Sequence, residues 1–258
     1  MPYVDNDGVQ IFYEVFGEGK LLILQHGLMG SLESWTDAGY IEALSESFKV
    51  IFVHARGHGK SDKPHTAQAY NVSKMADDIV AVMDDLELEK AHFLGYSMGG
   101  RIGLGMGMYH TGRLSSLIIG GMGAEERDDP NTVSLHESYI KVLRQGYEVL
   151  FKALEERDGE VSEKERTNWL NADLDAVIAY YGNVENVGFL ENLPDVQVPT
   201  LVYAGEEDSY YTSAKLCAEI MPDARFVGFS GLDHGSCFDR SDLILPHVLR
   251  FLAEQDTE

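Results

Sequence analysis

The chain has 258 residues, 44% of them hydrophobic, which suits one large α/β domain with an insertion and excludes a disordered chain. Its formal charge of −23, from 20 basic and 43 acidic residues, excludes nucleic acid and anionic membrane surfaces as partners, because binding them takes a basic patch. Two cysteines, Cys217 and Cys237, are too few for a disulfide framework or a thiolate metal cluster, and no apolar run nears the roughly 20 residues of a membrane span. The start, Met1-Pro2-Tyr3-Val4-Asp5, lacks the basic and apolar stretches of a secretory signal, so the expectation is a soluble, cytoplasmic protein.

Short apolar runs bounded by turn residues predict strands over 9–16, 21–25, 50–54, 91–96, 114–120, 200–204 and 225–229. Most are continuous rather than alternating, as strands covered on both faces are. Helical patterns fall between them, over 41–47, 74–86, 98–110, 214–220 and 242–253. This alternation predicts an α/β fold with a mainly parallel sheet and helices on both faces, the first hairpin-like stretch being antiparallel. It breaks over 124–195, an acidic stretch without a convincing strand, where 138–157, 162–171 and 174–181 read as helices. The expected organisation is a core of 1–123 and 196–258 with a helical cap of 124–195.

The strand from Ala91 runs into Gly95-Tyr96-Ser97-Met98-Gly99-Gly100 and then a helix, which is G-x-S-x-G in a strand–turn–helix setting. A turn sharp enough to lift the serine Oγ clear of the sheet puts Ser97 at positive φ. It also crowds its neighbours two positions away, so Gly95 and Gly99 must lack a Cβ. A serine hydroxyl needs a base and an orienting acid. Asp208 follows the strand at 200–204, and His234 follows the strand at 225–229. Ser97, Asp208 and His234 thus fall after three strands whose C-terminal ends share one sheet edge. Glu206, Glu207 and Glu125 compete for the acid role, while Asp233 should point away from the base. The oxyanion needs two donors: the N–H of Met98 and an N–H from the loop His26-Gly27-Leu28-Met29-Gly30, with Leu28 the best candidate. Trp35, Tyr96 and Trp169, together with Tyr180 and Phe189, are candidates for lining a substrate pocket, though each also fits plain packing. His26 is a further candidate there, and fits better as a brace for its loop.

These segments, with His54-Ala55-Arg56-Gly57-His58-Gly59-Lys60-Ser61-Asp62, resemble the α/β-hydrolase superfamily in motif type, order and spacing over nearly the whole chain outside 124–195. The closest likeness is to compact esterase-like members, a group that also holds enol-lactonases, carbon–carbon bond hydrolases and cofactor-free haloperoxidases or perhydrolases. The resemblance implies a serine nucleophile and no cofactor. Two departures stand out. His54 takes a position usually held by aspartate, and the effect expected is structural. The helix after Ser97 carries Gly103, Gly105 and Gly107, which fits either close packing or a helix loosened for low working temperature.

Three other motifs fail. Gly59-Lys60-Ser61 lacks the first glycine of a phosphate loop, since position 54 is histidine; Gly121-Met122-Gly123 lacks the third glycine of a dinucleotide fingerprint, since position 126 is Glu126. His54 and His58 are four apart, but Gly57 and Gly59 make a metal-binding helix improbable there, and no metal is expected. The expected function is hydrolysis of small to medium carboxylic esters through an acyl-enzyme, with a small-molecule ester as partner. Lactone, carbon–carbon or peroxide chemistry on the same residues is the alternative, and a ligand sensor that does not turn over is a third.

Overall fold

The structure is a computed structural model that describes residues 2–124, 130–158, 161, 163–183 and 189–255. Its centre is an eight-stranded sheet in the order β1-β2-β4-β3-β5-β6-β7-β8. The strands are β1 (Tyr3–Asn6), β2 (Val9–Phe16), β3 (Lys20–Gln25), β4 (Phe48–Val53), β5 (Ala91–Tyr96), β6 (Leu114–Gly120), β7 (Thr200–Gly205) and β8 (Ala224–Phe229). β1 pairs antiparallel with β2, and β2 with β4; every other pairing is parallel.

The continuous apolar strands resolve into two alternating sets, because each face of the sheet has its own cover. On one face Ile23, Ile51, Phe93, Leu117 and Val202 pack with α3 (Val72–Asp85), α4 (Met98–Tyr109) and α9 (Tyr211–Ile220). On the other, Leu22, Leu24, Phe52, Leu94 and Leu201 pack with α1 (Leu32–Asp37), α2 (Tyr40–Ser45) and α11 (Ser241–Gln255). Two short elements escaped the sequence patterns besides β1. They are α1, capped by Ser31 with Ser34, and α10 (His234–Asp239), capped by Asp233 with Ser236. In both, serine takes the position where a capping box usually shows Glu or Gln.

Between β6 and β7 the described residues form α5 (Pro130–Leu143), α6 (Tyr147–Asp158), α7 (Glu163–Asn171) and α8 (Leu174–Tyr181), with no strand. The single helix expected over 138–157 is two, because Gly146 turns at φ 94° and α6 begins after it. This insert has its own small core of Leu143, Leu150 and Val177. It is tied to the rest by Asn183 Nδ2 donating to Asn71 Oδ1 at 2.6 Å and by the His65–Asp173 pair at 3.0 Å.

The glycines of α4 are explained by close packing. A Cβ on Gly103, Gly105 or Gly107 would stand 2.9 Å from Phe93, Val72 or Val196 respectively. Cys217 and Cys237 are both buried and are not bridged to each other. Among the described residues no helix is long and apolar enough to cross a membrane.

Candidate active site

Ser97 sits at the end of β5 with φ 54° and ψ −116°, the positive φ that its turn requires. A Cβ on Gly95 would overlap the Gly99 carbonyl, and one on Gly99 would overlap the Gln25 carbonyl, so both positions are closed to any side chain. The turn is held open to the sheet edge by Ser97 N–H donating to the Gly120 carbonyl at 2.8 Å.

Three strand ends then converge. His234 Nε2 lies 3.0 Å from Ser97 Oγ, and His234 Nδ1 lies 2.8 Å from Asp208 Oδ2. The other carboxylate oxygen, Asp208 Oδ1, accepts the Tyr210 N–H at 2.9 Å. The Asp208 side chain is fully buried, whereas 39% of the His234 side chain faces solvent. An imidazole so placed can take a hydroxyl proton on one nitrogen while the acid fixes its tautomer through the other. Tyr96 Oη donates to the His234 carbonyl at 2.5 Å, and the rings of Tyr96 and Tyr210 flank the imidazole at 5.3 and 5.7 Å.

The competing acids are elsewhere. Glu206 and Glu207 are exposed, and Asp233 turns away to cap α10 through the Ser236 N–H at 2.8 Å. Glu125 lies outside the described residues.

The loop 26–30 lies directly against Ser97, since a Cβ on Gly27 would stand 3.2 Å from Ser97 Cβ. Its conformation is fixed by histidine. His26 Nδ1–H donates to the Gly27 carbonyl at 2.8 Å, and His26 Nε2 accepts the Ala55 N–H at 3.0 Å. His58 Nε2 accepts the Met29 N–H at 3.4 Å, and its Nδ1 faces the Arg56 carbonyl at 3.2 Å. Arg56 is in turn clamped by Asp78, with Nε to Oδ2 at 2.7 Å and Nη2 to Oδ1 at 2.6 Å, both residues buried. Leu28 N–H has no protein acceptor among the described residues, and Met98 N–H begins α4, where no intrahelical acceptor exists. Both are available to a ligand oxygen.

The substrate-lining candidates fare differently. Trp35 is 1% exposed and packs among Tyr40, Phe52 and Phe238 in the core face opposite α4, so it lines nothing. His26 is wholly buried and braces its loop instead. Tyr180 and Phe189 belong to the main core, and Trp169 packs on the insert's own core. Tyr96 is buried beneath His234. His54 has a structural place at the end of β4, with Nε2 3.4 Å from Glu14 Oε1 and its ring edge-on to Phe12 and Phe52. Sequence patterns missed Tyr210, two residues past the acid, and the bracing role of His58, whose one signal was its place in the glycine-rich loop 54–62.

The buried histidines carry a pH consequence. Burial pushes the His58 imidazole down to about 4 and holds His26 well below its ordinary range. Both rings accept an N–H on Nε2, so a proton there meets a donor head-on. The unfolded chain takes up that proton first, near pH 6.5, so stability is full above pH 6.5 and is lost as pH falls toward 4. His58 alone contributes about 3 kcal/mol to that loss. Urea denaturation between pH 7 and 4 should show wild-type stability falling more steeply than that of His58→Gln; parallel curves would reject the assignment.

Comparison with known proteins gives a consistent picture. A family model described as “alpha/beta hydrolase fold” matches residues 20–137. The bifunctional esterase/perhydrolase of Acinetobacter calcoaceticus is 26% identical over 98% of this chain and 99% of its own length. The non-heme haloperoxidase of Rhodococcus erythropolis is 24% identical over 98% of this chain and 99% of its own. The crystal structure of the enol-lactonase from Burkholderia xenovorans LB400 superposes with a TM-score of 0.84, at 24% identity, covering 98% of this chain and all of that one.

Proposed function

We propose that this chain, whose residues 20–137 match the alpha/beta hydrolase fold family, is a serine hydrolase of small to medium carboxylic esters that works through an acyl-enzyme on Ser97. The observation that carries this reading is the unbroken hydrogen-bonded chain from Ser97 Oγ through His234 to Asp208, set at a strained turn.

In this mechanism His234 Nε2 takes the Ser97 proton as Oγ bonds to the ester carbonyl carbon. Asp208 holds Nδ1–H and stabilises the imidazolium. The N–H groups of Leu28 and Met98 receive the oxyanion, aided by the positive end of α4. The tetrahedral intermediate collapses, and the alcohol leaves with the proton from Nε2. Water then gives its proton to His234, attacks the acyl carbon and releases the acid, returning the proton to Ser97. The described residues of 124–195 act as a cap that stands over this edge and limits the acyl group. No step calls for a cofactor or metal.

A second reading uses the same acyl-enzyme with hydrogen peroxide in place of water, or an internal ester as substrate. It is favoured by relatives, similar over their full length, named as an esterase/perhydrolase and a haloperoxidase.

The test is fluorophosphonate labelling followed by mass mapping, then initial rates on nitrophenyl esters of rising acyl length, lactones, vinylogous diketones, and esters with added peroxide. Label on Ser97 and fastest turnover of short to medium esters is the expected result. Absence of label on Ser97 rejects the function, and a tenfold preference for lactone or peroxide moves it to the second reading.

A further inference from the structure

We propose that Met29 is a positioning residue through which the helical insert sets the aim of the oxyanion hole. This rests on the assignment of the Leu28 N–H as an oxyanion donor.

That N–H and the Gly27 carbonyl are opposite ends of one planar peptide, so whatever fixes the carbonyl fixes the donor. Two groups hold it: His26 Nδ1–H at 2.8 Å and the Gly30 N–H at 2.9 Å. With the carbonyl held in one direction, the trans peptide points the Leu28 N–H the opposite way, from a peptide that begins at Gly27, whose Cβ position lies 3.2 Å from Ser97 Cβ.

The Gly30 bond closes a four-residue turn, Gly27 to Gly30, in which Met29 is the third residue. Met29 has φ 61°. A turn of this type needs positive φ at its third position, where glycine or asparagine is the ordinary choice. Methionine adopts that conformation only when its surroundings hold it there. Two contacts do so from opposite sides. His58 Nε2 accepts the Met29 N–H, and the Met29 side chain packs against the Leu143, Leu150 and Val177 core of the insert. Met29 is the one residue of loop 26–30 in that cluster; Leu28 packs on the main core instead. The insert therefore grips the turn that aims the donor, although it supplies no reacting atom.

The experiment uses the full chain and compares Met29→Gly, Met29→Leu, Val177→Ala and the double variant Met29→Gly/Val177→Ala. Glycine accepts the positive φ and keeps the turn available while cutting the link to the insert. Val177→Ala trims the insert core against which Met29 packs, without altering the loop. Rates are normalised to active sites titrated with fluorophosphonate, and thermal midpoints are recorded in parallel.

The expected result is a fall in kcat of about tenfold or more for Met29→Gly, with KM changed less than twofold, since the loss is in the transition state. Val177→Ala shows a smaller fall of the same kind, Met29→Leu recovers most of the rate, and the double variant is no slower than Met29→Gly. A wild-type kcat in Met29→Gly, or losses that multiply in the double variant, overturns the proposal while leaving the hydrolase function standing. A wild-type protein that turns over no acyl substrate overturns both.

Discussion

Ser97→Ala is expected to lower kcat by roughly 10⁴- to 10⁶-fold while the thermal midpoint stays within a few degrees of wild type. The Ser97 hydroxyl is the group proposed to form the acyl bond, and it lies 3.0 Å from the His234 Nε2. Removing it deletes covalent catalysis but leaves the oxyanion donors, so a residue of activity above the uncatalysed rate should survive. The backbone that holds the turn is unaffected, because its anchor is the Ser97 N–H on Gly120. Ester hydrolysis with a matched melting curve checks this. A variant within tenfold of wild type would mean that another nucleophile does the chemistry.

Asp208→Asn should cost about 10⁴-fold in kcat near neutral pH, by a route legible in the geometry. One carboxylate oxygen accepts the Tyr210 N–H, and the other faces His234 Nδ1. An asparagine must keep its carbonyl toward Tyr210, which leaves its amide donors pointing at Nδ1. The imidazole then has to accept there and carry its proton on Nε2, the nitrogen that should take the proton from Ser97. The ring stays in place in the wrong tautomer. Glu206→Gln and Glu207→Gln, at exposed positions, should leave kcat within twofold. A large loss in either, with Asp208→Asn near wild type, would move the acid to another carboxylate.

The sheet was readable because its strands are short apolar runs, and runs such as 91–96 and 114–120 need no long-range information to be recognised. The turn at Ser97 was equally local, since Gly95 and Gly99 are demanded by atoms within a few residues or on the neighbouring strand. The aromatic residues stayed ambiguous for the opposite reason. Trp35 and Tyr180 look alike in sequence whether they face a ligand or a core, and only packing decides. The glycines of α4 were ambiguous until Phe93, Val72 and Val196 came into view. Met29 carried no signal at all, because nothing in a methionine advertises a left-handed backbone.

Because β6 and β7 lie side by side in the sheet, the helices between them leave and re-enter the core through adjacent doors. Such an excursion looks exchangeable: a foreign one could be spliced between neighbouring strands while Ser97, Asp208 and His234 kept their places. The socket that receives Met29 limits that freedom. A chimaera would inherit the nucleophile intact, and would also need a matching hollow of aliphatic side chains to seat the thioether. If Met29 acts as proposed, a new insert would have to bring a matching change at residue 29.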